Sequence, residues 1–504
     1  MATPSNGLFW RNSQSAGRPC WKIQLMKTRI KKLFSGFALL AGFSLLPAGR
    51  GTAQTFTTLY SFNPNGGGSN PQAAMILSGN TLYGVALNGT YDQQGEEGVG
   101  DVFAINMDRT GFRVVLSTSY SYGGVILSGN MLYGTASEGG SSGTGNIFAV
   151  NTAGTFSTNL HSFAAGPAGH TNSDGISPWA NLVLVGNTLY GTALEGGTSD
   201  EGTVFAINTD GSGFTNLHNF SGSDGSDPYS GLILSGNTLY GTTSTGGLGS
   251  GTVFAINTDG TGFTNLYNFT PSSNGNRDGA YPRAGLILSG NVLYGTTFMG
   301  GSGGNGTVFA VNTDGTGFTN LHSFTRGKSL FIETSSNLDG AMPAAGLILS
   351  GNTLYGTTTT GGPAASGTVF AVNTDGTEFT NLHDFTALSN GLFTGTNSDG
   401  AHPYSALNLS SNTLYGTTGD GGYYGLGTVF SLSLPPPQLA ITQFGNNVIL
   451  TWPANVTGFN LQCASNLSSP TSWTNLASLP AVVNGSYTVT NAITGAQTFY
   501  RLAQ

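Results

Sequence analysis

Cysteine is nearly absent from this sequence, with Cys20 and Cys463 as the two examples in 504 residues. So few cysteines exclude a disulfide framework and a cysteine-based zinc motif. Cys20 also precedes the cleavage point predicted below, which leaves Cys463 alone in the mature chain. Folding must therefore depend on packing and hydrogen bonding.

Charged residues are also scarce. Asp, Glu, Lys and Arg make up 8% of the chain, against about 25% in typical soluble domains, which excludes a coiled coil, a helical bundle and a charged disordered tail. Residues 1–53 hold eight of the 15 basic residues and none of the 23 acidic ones, so the remainder carries a net charge near −16. A chain this acidic is a poor partner for nucleic acid.

No apolar run reaches the length of a membrane span. The most apolar stretch covers residues 33–46, whereas a spanning helix needs about 20 residues. Basic residues at positions 27–32 precede it and Gly51-Thr52-Ala53 follows it, the order of a secretory signal peptide. We therefore expect a non-native upstream extension at 1–25, a signal peptide at 26–53, and a secreted or cell-surface protein without a transmembrane segment.

Signatures of catalysis are missing too. The sequence contains no nucleophile elbow, HExxH motif, phosphate-binding loop or paired-carboxylate pattern. We expect a protein that is not an enzyme and that holds no cofactor.

What the sequence has in abundance is glycine, 80 residues, together with 38% hydrophobic residues. This combination predicts an all-β protein with many tight turns around a sizeable core. The tripeptide Leu-Tyr-Gly occurs seven times, with its tyrosines at Tyr83, Tyr133, Tyr190, Tyr240, Tyr294, Tyr355 and Tyr415. Each occurrence belongs to a unit of four short β-rich runs, as in GLILS, TLYGTT, TVFAIN and FTNLYNF between residues 231 and 269. Each unit is therefore predicted to be a four-stranded antiparallel meander.

The two ends of the array complement each other. The run FTTLYSF at residues 56–62 matches the fourth run of a unit, while the last unit stops after its third run at Leu432. A ring gains from this arrangement because the first fragment joins the last sheet and removes free edges. We predict a seven-bladed β-propeller of four-stranded blades over residues 54–434, closed by the N-terminal strand. A β-solenoid or two stacked sheets are the alternatives.

Two connections in each unit vary in length, the one after Leu-Tyr-Gly and the one between units. In a meander both emerge at the same end of the ring, which we call the variable face, and loops on a rigid scaffold commonly carry function. Five units have Asp-Gly-x-x-Pro at this face, beginning at Asp174, Asp224, Asp278, Asp339 and Asp399. These carboxylates form either a ring that binds a cation such as Ca²⁺ or simple Asp-Gly turns before a strand. The turn interpretation is favoured, because two units lack the motif.

Aromatic residues at the variable face are the second candidate site. Trp179, Tyr229 and Tyr404 follow the repeated Pro, and Tyr281, Tyr423 and Tyr424 lie in the same connections. Exposed rings beside sparse carboxylates suit a glycan or a protein ligand, although packing between loops would also account for them. By contrast, the histidines of the fourth run share their position with tyrosine, so we expect packing there and no metal site.

The segment after Pro435-Pro436-Pro437 contains none of the repeat motifs. Residues 438–504 are predicted to form a small β-sandwich from short runs at 439–444, 448–452, 459–464, 473–476, 487–490 and 498–502. Within them, LTW at 450–452 with FYRL at 499–502 resembles fibronectin type III patterning.

The repeated LILSGNTLYGTT and GTVFAINTDGTGFTNLHSF segments resemble the GloVer tandem-repeat family of exported bacterial proteins over about residues 55–434. The resemblance implies export and a varied C-terminal module, and it supplies no catalytic residues. We therefore expect a monomeric, secreted, non-enzymatic binding or adhesion protein. The alternatives are a structural cell-surface component, or a polysaccharide hydrolase or lyase that uses carboxylates such as Asp224, Asp278 or Asp399.

Overall fold

The computed structural model describes residues 54–503 except 65, 90–98, 167–170, 272–275, 328–335, 390–394, 454–458, 467–471, 477–479, 484–485 and 494–497. The predicted signal peptide and upstream extension lie outside the described residues. Within them the chain is all-β, and it holds no helix with the length and apolarity needed to cross a membrane.

The repeats form four-stranded antiparallel sheets, numbered here in chain order after the first strand, β1 (Phe56–Ser61). Sheet 1 consists of β2 (Ile76–Ser78), β3 (Thr81–Asn88), β4 (Val99–Asn106) and β5 (Arg113–Ser117). Sheet 2 consists of β6 (Ile126–Ser128), β7 (Met131–Ala136), β8 (Asn146–Asn151) and β9 (Ser157–Ser162). Sheet 3 consists of β10 (Val183–Val185), β11 (Thr188–Ala193), β12 (Thr203–Asn208) and β13 (Thr215–Asn219).

The remaining repeat sheets follow the same plan. Sheet 4 consists of β14 (Ile233–Ser235), β15 (Thr238–Thr243), β16 (Thr252–Asn257) and β17 (Thr264–Asn268). Sheet 5 consists of β18 (Ile287–Ser289), β19 (Val292–Thr297), β20 (Thr307–Asn312) and β21 (Thr319–Ser323). Sheet 6 consists of β22 (Ile348–Ser350), β23 (Thr353–Thr358), β24 (Thr368–Asn373) and β25 (Thr380–Asp384). Sheet 7 consists of β26 (Asn408–Ser410), β27 (Thr413–Thr418), β28 (Thr428–Ser433) and β1.

The N-terminal strand therefore occupies the fourth position of the last sheet, as the complementary ends of the array predicted. β1 pairs antiparallel with β28, with Phe56 opposite Leu432 and Ser61 opposite Thr428. Phe62, which follows β1, is fully buried. The two ends of the array are thus joined by backbone hydrogen bonds and by core packing.

Tight hairpins join the first two strands of each sheet. In sheet 4 the two-residue turn Gly236-Asn237 connects Ser235 to its partner Thr238, and Gly236 has a φ of 59°. Glycine at the first central position with positive φ is the requirement of a type II′ turn, whose twist matches that of the flanking strands. In sheet 7 Ser411 takes this position with a φ of 53°.

The glycine of Leu-Tyr-Gly is required by close packing. Gly241 lies directly opposite Phe254 on the neighbouring strand, and a Cβ on Gly241 would lie 2.6 Å from Cζ of that ring. Every repeat sheet has the same glycine and phenylalanine pair at this position. The motif therefore leaves room for a buried phenylalanine ring on the neighbouring strand.

The core lies between sheets. The two middle strands of each repeat sheet are buried along almost their whole length, so both faces are covered. One apolar cluster combines residues of sheets 1 and 2, further clusters join each later pair of neighbours, and another joins β1 and sheet 7 to sheet 1. This arrangement of packed four-stranded meanders is β-propeller-like.

The C-terminal segment forms two smaller sheets. One contains β29 (Ala440–Phe444), β30 (Asn447–Pro453), β33 (Ala481–Val483) and β34 (Ser486–Ala492), and the other contains β31 (Asn460–Ala464), β32 (Thr474–Asn475) and β35 (Phe499–Ala503). Leu450, Trp452 and Val489 of the first sheet share a core with Leu461 of the second. The two sheets are packed face to face, and β33 is a strand that the sequence analysis did not predict.

Candidate functional site: an aromatic cavity at the variable face

The variable connections meet at one end of the repeat sheets. Backbone bridges link the connection that enters a sheet to the loop after Leu-Tyr-Gly of the same sheet, for example Ile176 to Glu195 and Ser226 to Thr245. At this end lies a cavity of about 350 Å³, within the range of small-molecule sites. It is lined by equivalent residues just before the first strand of each repeat sheet.

A single position of the repeat supplies the wall of the cavity. This position, four residues before the first strand, is filled by Gln72, Tyr122, Trp179, Tyr229, Arg283, Ala344 and Tyr404. The Pro that precedes most of them is buried, and the residue before this Pro has positive φ, as at Asp227 and His402. The turn therefore fixes where each of these side chains leaves the backbone.

Four of these side chains form a continuous group, which we call the aromatic wall. The rings of Tyr122 and Trp179 are stacked, with centroids 3.9 Å apart and planes 9° apart. Tyr229 meets Trp179 edge to face at 5.3 Å, and the guanidinium carbon of Arg283 lies 5.2 Å from the centroid of the Tyr229 ring. All four side chains are half-buried and line the cavity.

Both tyrosines of the wall remain protonated. Burial raises the pKa of the Tyr122 hydroxyl, and the nearby negative charge of Glu138 adds to this rise. Burial also raises the pKa of the Tyr229 hydroxyl, a rise that the positive charge of Arg283 opposes and the charges of Asp227 and Glu195 reinforce. The cavity therefore offers two neutral hydroxyl groups beside one permanent cation.

The predicted carboxylates have a different environment. Asp339 accepts a hydrogen bond from Nε2 of His322 at 3.0 Å and from the backbone N–H of Thr325 at 3.0 Å. Asp278 accepts hydrogen bonds from the Tyr267 hydroxyl at 2.8 Å and from the Thr270 backbone N–H at 2.9 Å. The other three make the same type of contact, namely Asp174 with His161, Asp224 with His218 and Asp399 with His383.

These contacts favour the turn interpretation of the Asp-Gly-x-x-Pro motif. Each of the five carboxylates accepts a hydrogen bond from the His or Tyr of the fourth strand that immediately precedes its turn. In sheet 1 the equivalent residue is Leu116, opposite Val102, and the connection that follows has no Asp. Among the described residues, no group of three His, Cys, Asp or Glu side chains could hold a metal ion.

The predicted aromatic residues divide into two groups. Trp179, Tyr229 and Tyr404 line the cavity. Tyr281 precedes its Pro rather than following it, and its backbone N–H donates to the carbonyl of Ser250 at 3.0 Å. Tyr423 and Tyr424 are exposed and contact each other edge to face at 4.7 Å, apart from the residues that line the cavity.

Two members of the wall were missed by the sequence analysis. Tyr122 belongs to the one connection without a Pro, so the motif did not align it, and Arg283 follows Pro282 but is not aromatic. Counting four residues back from each Ile-Leu-Ser-like strand would have found both. The signal was therefore the distance to the strand and not the proline.

A sequence profile of the Gloeobacter/Verrucomicrobia repeat (Gleo_Verruco) matches residues 116–277, 168–329 and 272–447. No curated protein sequence matches the chain significantly.

Solved structures resemble the chain distantly. An oligogalacturonate lyase in complex with manganese is 12% identical, with a TM-score of 0.44 over 76% of this chain and 96% of that one. The quinohemoprotein alcohol dehydrogenase from Comamonas testosteroni is 11% identical, with a TM-score of 0.46 over 77% and 78% of the two chains. A puromycin-hydrolyzing peptidase of Mycobacterium tuberculosis is 13% identical, with a TM-score of 0.43 over 76% and 59%. Their functions differ from one another.

Proposed function

We propose that this chain, which belongs to the Gloeobacter/Verrucomicrobia repeat family, is an exported, non-enzymatic protein that binds a saccharide in the cavity of its variable face. The observation that carries the proposal is the aromatic wall, in which Tyr122, Trp179 and Tyr229 contact one another beside an open cavity.

The chemistry of the wall suits a sugar. Sugar rings present a C–H-rich face to an aromatic surface and hydroxyl groups to polar atoms around it. Aromatic rings with hydroxyl groups at their edges combine both kinds of contact, and binding cavities are commonly apolar with a few oriented polar groups. The protonated hydroxyls of Tyr122 and Tyr229 supply such groups.

The scaffold of this proposal is a closed, seven-bladed propeller. Its support is the pairing of β1 with β28 and the apolar cluster that joins sheet 7 to sheet 1. A closed ring holds the equivalent residues of all repeats around one axis, which explains why they line one cavity. Export rests on the predicted signal peptide at residues 26–53.

Binding without turnover is favoured over polysaccharide cleavage. The carboxylates that an enzyme would use, Asp224, Asp278 and Asp399, are each held by a neighbouring His or Tyr and by a backbone N–H. We therefore expect no polysaccharide cleavage by the parent protein. Any cleavage that did depend on one of these carboxylates would be lost when that Asp is replaced with Asn.

A glycan array with the secreted protein tests the proposal. Trp179→Ala should abolish or weaken binding at least about tenfold, because it removes the central ring of the wall. Tyr423→Ala, which removes an exposed aromatic ring of the same face outside the cavity, is the matched control and should bind like the parent protein. Absence of glycan binding by the parent protein, or equal binding by both variants, would contradict the proposal.

A further inference from the structure

Arg283 lies against two aromatic rings. Its guanidinium carbon lies 4.2 Å from the centroid of the Phe298 ring and 5.2 Å from that of Tyr229. Its Nε is buried and has no hydrogen-bond partner, and within the described part of the chain Arg283 forms no ion pair. Buried N–H groups are nearly always paired in native structures, and the Nε–H of Arg283 departs from this rule.

The nearby acids do not neutralise this charge. Asp227 contacts the Thr245 hydroxyl, from which it accepts a hydrogen bond at 2.7 Å, and it is in none of the ion pairs of the described residues. Glu138 and Glu195 are exposed, and solvent screens their charges. The flanking rings of Tyr229 and Phe298 orient the guanidinium and attract it through their π faces, but they bring no negative charge to it.

We infer that the saccharide bound at the aromatic wall carries a carboxylate, and that Arg283 binds this group while the wall packs against the sugar ring. The inference rests on the proposed function and narrows its ligand to uronic-acid oligosaccharides. The planar guanidinium matches the geometry of a carboxylate and can donate to both of its oxygens. Arg283 is then the residue that determines specificity, whereas the rings provide the general affinity for sugars.

The inference predicts a preference between two forms of the same sugar. The probes are trisaccharides of galacturonic, glucuronic and mannuronic acid, each measured by calorimetry beside its methyl ester. Esterification keeps the ring and its hydroxyls but removes the negative charge. We expect at least one acid to bind about 10 to 100 times more tightly than its ester, the range of a hydrogen bond to a charged group, and the difference to shrink with added salt.

Three variants separate the effect of the charge from an effect on folding. Arg283→Gln should lower the affinity for the acid to that for the ester, while the affinity for the ester stays unchanged. Arg277→Gln removes the same charge from the same connection at an exposed position outside the cavity, and should leave both affinities within about twofold of the parent. Arg283→Lys keeps the charge without the planar group and should retain part of the preference for the acid. Thermal unfolding at the temperature of the parent protein shows that each variant is folded.

The outcomes are distinct. Equal binding of acid and ester, or an Arg283→Gln variant that loses affinity for both, would overturn the carboxylate assignment. If Trp179→Ala still abolished binding in that case, the proposed saccharide site would stand without the inference. Failure of every sugar to bind would reject the proposed function and the inference together.

Discussion

The imidazole of His383 lies flat against the ring of Phe56, with centroids 3.9 Å apart and planes 11° apart. His383 belongs to the fourth strand of sheet 6, and Phe56 opens β1, the fourth strand of sheet 7. The same stack joins His161 to Phe214, His218 to Phe263, Tyr267 to Phe318, His322 to Phe379 and Tyr60 to Phe112. We call this aromatic contact the seam, and in five of the six seams an Asp also accepts a hydrogen bond from the His or Tyr.

Removing the aromatic residue of a seam should destabilise the protein. His383→Ala deletes the stack on Phe56 and the hydrogen bond to the buried Asp399, with an expected loss of about 1 to 3 kcal/mol in the free energy of unfolding. His383→Tyr should be close to the parent, because Tyr267 makes the equivalent hydrogen bond to Asp278 at 2.8 Å. Urea unfolding measures both, and equal losses for Ala and Tyr would argue against the seam.

The integration of the first strand can be measured with two phenylalanines. Phe62 follows β1 and meets Phe103 at 5.2 Å, while Phe163 occupies the same place after β9 and meets Phe205 at 5.4 Å. Both are fully buried, so Phe62→Ala and Phe163→Ala should each cost about 3 to 5 kcal/mol. A much smaller cost for Phe62→Ala would mean that β1 is dispensable and that the ends are not joined in solution.

Stability should fall in two steps as the pH is lowered. Burial lowers the pKa of His218 below its usual value, partly offset by Asp224. A group whose pKa is lowered in the folded state binds protons more readily in the unfolded state. Neutral His218 therefore makes its full contribution to the stability of the fold above about pH 6.5, and this contribution is lost as the pH falls. Urea unfolding between pH 7.5 and 5 should show this first loss of unfolding free energy in the parent protein and not in the His218→Tyr variant.

The second step comes from the carboxylates of the seams. Burial alone would raise the pKa of Asp399, but hydrogen bonds from His383 and Thr386 hold it below its usual value, and Asp339 behaves alike. This contribution is present above about pH 4 and is lost as the pH falls through the folded-state pKa. Asp399→Asn should lower stability at pH 7 and flatten the curve below pH 4. If the variant lost stability below pH 4 as steeply as the parent protein does, the assignment of this second step to Asp399 would be wrong.

One seam of the array is incomplete. Leu116 takes the place of His or Tyr in sheet 1, and Phe156, which would receive the stack, is 54% exposed. Leu116→Tyr should cover this ring and raise the unfolding free energy by about 0.5 to 1.5 kcal/mol, the range of an aromatic pair. Phe156→Ala is the control, because Leu116→Tyr should bring no gain in unfolding free energy when this ring is absent. Thermal unfolding of the parent protein, the two single variants and the double variant measures the coupling between the two positions.

Much of the fold was predictable because the same sequence pattern occurs in each of the repeats. Turn residues such as Gly236-Asn237 mark the hairpins, and the missing fourth run of the last unit pointed to the partner of β1. The predicted turns are present, as is the pairing of β1 with β28. Strand β33 was missed because Ala481–Val483 is short and exposed and has no periodic pattern.

The site was only partly predictable, since proximity across repeats depends on how neighbouring sheets pack together and not on any one repeat. Trp179 and Tyr229 were identified as aromatic residues of the variable face, but their contact depends on the placement of two neighbouring sheets. The engagement of Asp339 by His322 was equally hidden, because the bulge in each fourth strand shifts the register and decides which side chain faces the turn.

The uniformity of the seams also bears on how such a chain can diversify. Because nearly every junction uses the same aromatic stack, one repeat can replace another by recombination while both of its junctions remain compatible. The residue four positions before the first strand takes no part in that stack, so it is free to change from Trp to Arg to Ala. Under the proposed function, the binding preference can thus change one repeat at a time while the framework of sheets is kept.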